Sequence, residues 1–284
     1  MAEKIPISVL ILTKDEEPNI RQCLESIKWA DEIFIVDSGS SDKTLEIAGE
    51  YTGEISYHPF ENYSRQRNNA LNNLPVNNGW VLNLDADHRV SEDLRRELFA
   101  LFEKEINKDI KGFLISRRTI FMKRWIRHGG HYPTYHAVLF RKGYGFCEDR
   151  LYDQHFVVNG KVKILKGDII DIITDSITKF IERHNRWSTL EAAEFLTGNP
   201  SEKSSAVRPD PFGNPMERRR FLRDTYNRAP LFIRAFLYFL LRYFFRLGFL
   251  DGKEGFVFHF LQGFWYRFLV DAKIYEIRRK TEKS

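Results

Sequence analysis

With 284 residues, 43% of them hydrophobic and 29% charged, the chain has the composition of a folded globular protein, which excludes a disordered or fibrous one. Single cores usually stop growing near ~250 residues, so the length suits one large domain, or a domain with an appendage, and is enough for an enclosed site. The net charge of +5 belongs to the tail: residues 217–284 hold 15 Lys and Arg against 7 Asp and Glu, leaving 29 against 32 for residues 1–216. The same tail holds 18 of the 41 aromatic residues. A nucleic-acid arm is rarely so apolar and no binding motif accompanies it, so nucleic acid is not an expected partner.

The N-terminal "MAEKIPISVLILTKDEE" has a short apolar run that leads into acid, with no small-residue cleavage site, and reads as a first strand rather than a secretion signal. Two cysteines, Cys23 and Cys147, give neither a disulfide framework nor a cysteine zinc site, which fits a reducing cytoplasm. Strands are expected at Ile7 to Leu12, Glu32 to Val36, Gly53 to His58, Trp80 to Leu84, Gly112 to Arg117 and Tyr135 to Arg141. Between the early ones Ile20, Cys23, Leu24 and Ile27 repeat at the i, i+3, i+4, i+7 spacing of one helix face. This βαβα order predicts an α/β fold with a mainly parallel sheet and flanking helices, and such sheets bind ligands at the carboxyl ends of their strands. The polar clusters follow strands accordingly: "TKDEE", "DSGSSD" and "DADHR".

A helix is expected from about Asp175 to Leu196, capped by Ser176, with Ile177, Phe180, Ile181, His184 and Trp187 along one side. The Gly-, Pro- and Ser-rich stretch after it predicts a mobile loop or linker over 198–216, dividing a catalytic domain (1–197) from a C-terminal amphipathic helical extension (217–284). The longest uncharged run in its first helical stretch, "RAPLFIRAFLYFLLRYFFRLGFLDG", is Ala235 to Leu241, far below the ~20 apolar residues needed to cross a bilayer. At about 100° per residue, Arg228, Arg234, Arg242 and Arg246 share roughly one third of the helix circumference, opposite a wide Phe, Leu and Tyr face. Two readings stay open: helices packed on the globular domain or another subunit as in a homo-oligomer, and an in-plane membrane foot with its arginines on an anionic surface.

The run "WVLNLDADHRV" ends a buried-strand pattern in two carboxylates, Asp85 and Asp87. Side chains at i and i+2 share a face. Such a pair costs free energy unless a cation or water satisfies it, and its hard oxygen donors suit Mg²⁺ or Mn²⁺ bridging a diphosphate. A solvated loop is the ordinary alternative for one such pair.

Here the pair is the last of four stretches in order: "ISVLILTKDEEPNIRQCLESI", "DEIFIVDSGSSDKTLEIA", "SRQRNNAL" and "WVLNLDADHRVS". Together they closely resemble the first half of the inverting family 2 glycosyltransferases of the GT-A fold, and their spacing looks like that of the lipopolysaccharide-core or lipooligosaccharide enzymes. The resemblance covers residues 5 to about 100 closely and continues more loosely beyond. It implies that Thr13 and Glu16 line a nucleobase pocket, that Asp37 contacts the uracil or ribose, and that Arg67 lies near the nucleotide. Asp85 would approach ribose and donor sugar, and Asp87 would ligate the metal. His88 stands where related sequences often carry an acid. Without the resemblance, Asp37 reads as a turn or helix cap and Arg67 as a solvated helix charge.

An inverting transfer needs a base for the acceptor hydroxyl. The candidate stretch is "CEDRLYDQHF", in which Asp153 is the first expectation and Asp149 the second, and His155 or His184 is a further candidate to reach the metal. The resulting expectation is a metal-dependent hexosyltransferase that uses a UDP-sugar and a lipid-linked saccharide acceptor, in the cytoplasm at the inner face of the membrane. A catalytically silent scaffold of the same fold is the alternative. A sugar nucleotidyltransferase would need a glycine-rich loop after the first strand, where "LTKDEEPN" has none.

Overall fold

The nine residues Ile5–Thr13 form β1, buried on both faces over most of its length, as expected of a central strand covered by helices on either side. The computed structural model describes residues 4–173, 176–197 and 207–282. In chain order the elements are β1, α1 (Glu17–Glu25), β2 (Ala30–Asp37), α2 (Thr44–Gly49), β3 (Ile55–Tyr57), α3 (Tyr63–Asn73), β4 (Trp80–Asp85), β5 (His88–Val90) and α4 (Glu92–Phe102). There follow β6 (Ile110–Phe121), β7 (Arg124–Trp125), β8 (Tyr135–Arg141), β9 (Gly145–Cys147), β10 (Phe156–Val158) and β11 (Lys161–Ile172). The helical remainder is α5 (Ile177–Leu196), α6 (Pro215–Arg228), α7 (Ile233–Leu240), α8 (Gly252–Phe258) and α9 (Tyr266–Thr281). A π-helical turn at Leu241–Phe245 follows α7, a 3₁₀ turn at Gly248–Asp251 precedes α8, and a π-helix at His259–Trp265 joins α8 to α9.

The chain forms two compact units: Met1–Arg117 with Tyr135–Asp149 and Gln154–Asp171, and Arg118–Thr134 with Arg150–Asp153 and Ile172–Ser284. The large sheet has the order β3-β2-β1-β4-β8-β6-β11-β5, with β7 on β6. The expected parallel pairing is present where the polar clusters lie, in β3-β2-β1-β4. Beyond β4 the sheet is mixed, because β8 runs antiparallel to both β4 and β6. Local chemistry fixes the helices. Pro18 sits at the start of α1, where its missing N–H costs nothing. Ser91 caps α4 by accepting from the Leu94 N–H, and α1 buries the predicted Ile20, Cys23 and Leu24. Gly167 of β11 is required by close approach, since a Cβ there would collide with the backbone of Leu94 in α4.

In the second unit, Ser176 caps α5 as expected, and Phe180 and His184 face inward. Residues 198–206 of the expected linker and Asp175 lie outside the described residues. Pro215 and the reciprocal Asn214–Glu217 capping box start α6.

The expected arginine stripe is corrected. Arg234 and Arg242 are only 3% and 4% exposed. Arg234 donates through Nε to Asp271 Oδ1 (2.8 Å) and through Nη1 to the Asn227 carbonyl (2.9 Å). Arg242 donates through Nε to the Gly129 carbonyl (3.1 Å). The wheel assigned them to the surface because it contained neither Asp271 nor Gly129. No helix among the described residues is long and apolar enough to cross a membrane.

Candidate active site

Three carboxyl strand ends converge in the first unit. Thr13 of β1 is in register with Asp37 of β2, and Leu12 with Asp85 of β4. The loops beyond them are laced together. Ser41 N donates to Asp15 Oδ1 (2.8 Å), Glu16 N to Thr44 Oγ1 (2.8 Å) and Glu17 N to Asp42 Oδ2 (3.0 Å). Asp15 adopts a positive φ of 53°, which Asp tolerates in a tight turn. Asn19 Nδ2 donates to Glu16 Oε2 (2.7 Å). Asp37 is buried, and both of its oxygens accept bonds from its own turn: Oδ2 from Gly39 N (2.7 Å) and Ser40 N (2.9 Å), Oδ1 from Ser40 Oγ (2.5 Å). The Thr13 hydroxyl beside it is buried without a hydrogen-bond partner, and a buried polar atom of that kind calls for an explanation such as an absent ligand.

The helix α3 ties three of the loops to one another through three consecutive residues. Gln66 Nε2 donates to Ser38 Oγ, after β2. Arg67 Nη2 reaches both oxygens of Asp85, at 2.9 and 3.0 Å. Asn68 donates from Nδ2 to the Cys147 carbonyl (2.9 Å) and accepts from the Cys147 N–H at Oδ1 (2.8 Å). Consecutive helical side chains diverge by about 100°, so one turn of helix addresses the ends of β2, β4 and β9. Asn62 holds the start of this helix by accepting from the Arg65 N–H (2.8 Å). Arg67 also lies over the Phe156 ring, 5.3 Å from its centroid.

Burial would raise the Asp85 carboxyl, but Arg67, with His88 and Arg117, outweighs it and holds the group at about 2. Burial and then Arg117 push the His88 imidazole down to about 4, so the ring is neutral at physiological pH. Its Nδ1 accepts from the Asp85 N–H (3.1 Å), which leaves the ring proton on Nε2. That nitrogen lies 3.8 Å from an oxygen of Asp85 and 3.8 Å from one of Asp87. Donor atoms of Asp85, Asp87 and His88 lie within 4.8 Å of one another. Two carboxylates so placed fit a hard divalent cation. His88, with its N–H turned to them, fits the role of orienting the carboxylates rather than supplying a third ligand.

The stretch after β9 divides. Glu148 is buried, donates through its N–H to the His155 carbonyl (2.9 Å) and accepts from the His155 N–H at Oε2 (2.9 Å). The adjoining Asp149 is exposed, in the field of Arg65 from α3. Arg150 to Asp153 belong to the second unit. There Asp153, at a φ of 55°, is ion-paired with Arg223, and Arg223 also reaches Glu191 (3.1 Å). His184 lies in the second unit too, where its Nδ1 is 2.8 Å from the Phe180 carbonyl and its ring is packed among Phe180, Trp187 and Tyr266. It is a core histidine. His155 is stacked on His136, ring centroids 5.6 Å apart. Sequence reasoning singled out Arg67 but missed Gln66 and Asn68. The quoted "RQRNNAL" contained the signal: a run of amide side chains on a helix with little apolar content.

The sequence model described as glycosyl transferase family 2 matches residues 8–157, from within β1 to β10. The lipopolysaccharide core biosynthesis glycosyltransferase LpsC of Rhizobium meliloti is 28% identical over 97% of this chain and 94% of its own length. An uncharacterized glycosyltransferase of Rickettsia typhi is 25% identical over 97% of this chain and 88% of its own. Among solved structures, the mannosyltransferase PcManGT from Pyrobaculum calidifontis, in complex with GDP-Man and Mn²⁺, matches 96% of this chain and 88% of its own. The TM-score is 0.52 and the identity 15%, a likeness of fold.

Proposed function

Because the chain belongs to glycosyl transferase family 2, we propose that it moves a hexose, with inversion, from a UDP-sugar to a lipid-linked saccharide of the cell envelope, such as a lipopolysaccharide core. The core assignment is supported by the relationship to the Rhizobium meliloti protein along nearly the whole chain. One observation carries the chemical reading. A single helix, α3, holds Asp85 through Arg67, beside Asp87, and holds the Cys147 backbone next to Asp149 through Asn68. The diphosphate carboxylates and a candidate base are thereby referenced to one rigid element.

In this reading Thr13, Glu16 and Asp37 line the nucleoside pocket and Asp85 faces ribose and sugar. Asp87, with Asp85, would hold Mg²⁺ or Mn²⁺, which when bound neutralises charge on the diphosphate. Asp149 accepts the proton of the acceptor hydroxyl as that oxygen bonds to the anomeric carbon. The bond from that carbon to the diphosphate oxygen breaks on the opposite face, and the nucleotide leaves with the electron pair. Asp149 is preferred to Asp153 because it is exposed, whereas Asp153 is committed to Arg223. The first unit serves the donor; the helical second unit serves the acceptor and contact with the membrane that carries it, at the cytoplasmic face.

The test is a panel of UDP- and GDP-sugars with Mn²⁺ and an envelope lipid extract as acceptor, read by released nucleotide and by labelled lipid. Acceptor-dependent release from one UDP-sugar is expected. Release from a GDP-sugar alone would move the donor assignment, and nucleotide binding without release from any donor would favour the silent scaffold.

A further inference from the structure

A helical hairpin that rests in water buries most of its phenylalanines and exposes its arginines; in the segment 233–268 many phenylalanines are exposed and two of the four arginines are buried. Arg234 and Arg242 are buried, while Ile233, Phe236, Leu237, Phe244, Phe245 and Phe260 are between 41% and 78% exposed. The aromatic rings here form a connected row rather than scattered points. Rings at 256, 260, 264 and 268 repeat at helical i, i+4 spacing, with successive centroids 6.2, 5.6 and 5.8 Å apart. Phe236 joins them through Phe264 (6.5 Å), and Tyr243 joins them through Phe256 (5.6 Å). Scattered exposed apolar residues need no explanation, but a contiguous aromatic face marks an interaction surface.

The charges around the face select its occupant. Within 233–268 the exposed charged side chains are Arg246 and Lys253, whereas Asp251 is buried and Glu254 half-buried. A second copy of this chain, meeting the same face by two-fold symmetry, would bring two more exposed cations and no exposed carboxylate from this segment to answer them. Lipid headgroups offer phosphate to a basic rim and hydrocarbon to the rings behind it. We propose that this face seats directly in the apolar margin of a lipid bilayer, with attachment carried by aromatic insertion while Arg234 and Arg242 serve inside the protein. The inference deepens the membrane contact proposed above but does not depend on the transfer chemistry; lipid binding is read by sedimentation and donor binding by calorimetry, so either can fail alone.

The experiment is co-sedimentation of the full chain with vesicles of pure phosphatidylcholine and with vesicles in which phosphatidylglycerol is about one third of the lipid, at low and high salt. The chain is expected to bind the neutral vesicles, to gain modestly from the anionic lipid, and to lose only that gain in high salt. Phe236→Glu with Phe260→Glu is expected to weaken binding about tenfold or more, while calorimetric UDP affinity in Mn²⁺ is unchanged. A Phe260→Trp chain, whose face stays apolar, is expected to have its new fluorescence quenched by brominated lipid. Binding confined to anionic vesicles and abolished by salt would overturn insertion. A lack of binding to either vesicle, with a dimer in light scattering that the double substitution dissociates, would assign the face to a second copy.

Discussion

Asn68 makes two hydrogen bonds to the backbone of one residue, Cys147, which is itself buried. Asn68→Ala leaves a buried N–H and C=O without partners, an expected cost of about 1–3 kcal/mol in urea unfolding. If the segment it holds carries the base, kcat falls about tenfold or more while the donor KM hardly moves; a purely structural role would lower stability and leave kcat intact. At His184, burial outweighs the bond to Phe180 and pushes the imidazole down to about 4, against ~6.5 in an unfolded chain. The unfolded chain therefore takes up the proton first, and stability is lost as pH falls from about 6.5 towards 4. His131 and His259 shift in the same direction. Denaturant unfolding at a series of pH values should show this slope, and His184→Phe should reduce it.

At the scale of elements, the buried ion pair of Arg234 in α7 with Asp271 in α9 sets the orientation of the exposed face. Removing one partner of such a pair leaves a buried charge, so Asp271→Ala is expected to destabilise the chain by about 3–5 kcal/mol, measured by urea unfolding. The elements that the sequence made legible are those with a period or continuous apolar run: β1, β2, β4, the face of α1 and the capped α5. The strand β11 was missed because its first half, "KVKILK", alternates with lysine and is largely exposed; what fixes it is pairing and the approach of α4 to Gly167. The arginine stripe was misread for a related reason. Helix periodicity locates a face but not its partners, and Asp271 and Gly129 are remote in sequence.

At the scale of the whole molecule, the order of four motifs made the fold and family legible, because each polar cluster had to follow a strand at the ligand-binding edge of a parallel sheet. The choice between Asp149 and Asp153 was not legible, because the two, four positions apart in one loop, fall in different units and different electrostatic company. That choice is also where the proposed chemistry is most exposed to test. The deciding measurement is the single-turnover transfer rate of Asp149→Asn and Asp153→Asn, beside calorimetric UDP affinity in Mn²⁺ for the same chains. Asp149→Asn is expected to lose about 10²- to 10⁴-fold in rate with UDP affinity nearly unchanged, and Asp153→Asn to keep most of its rate. Full activity in Asp149→Asn, with the loss in Asp153→Asn instead, would contradict the assignment of the base.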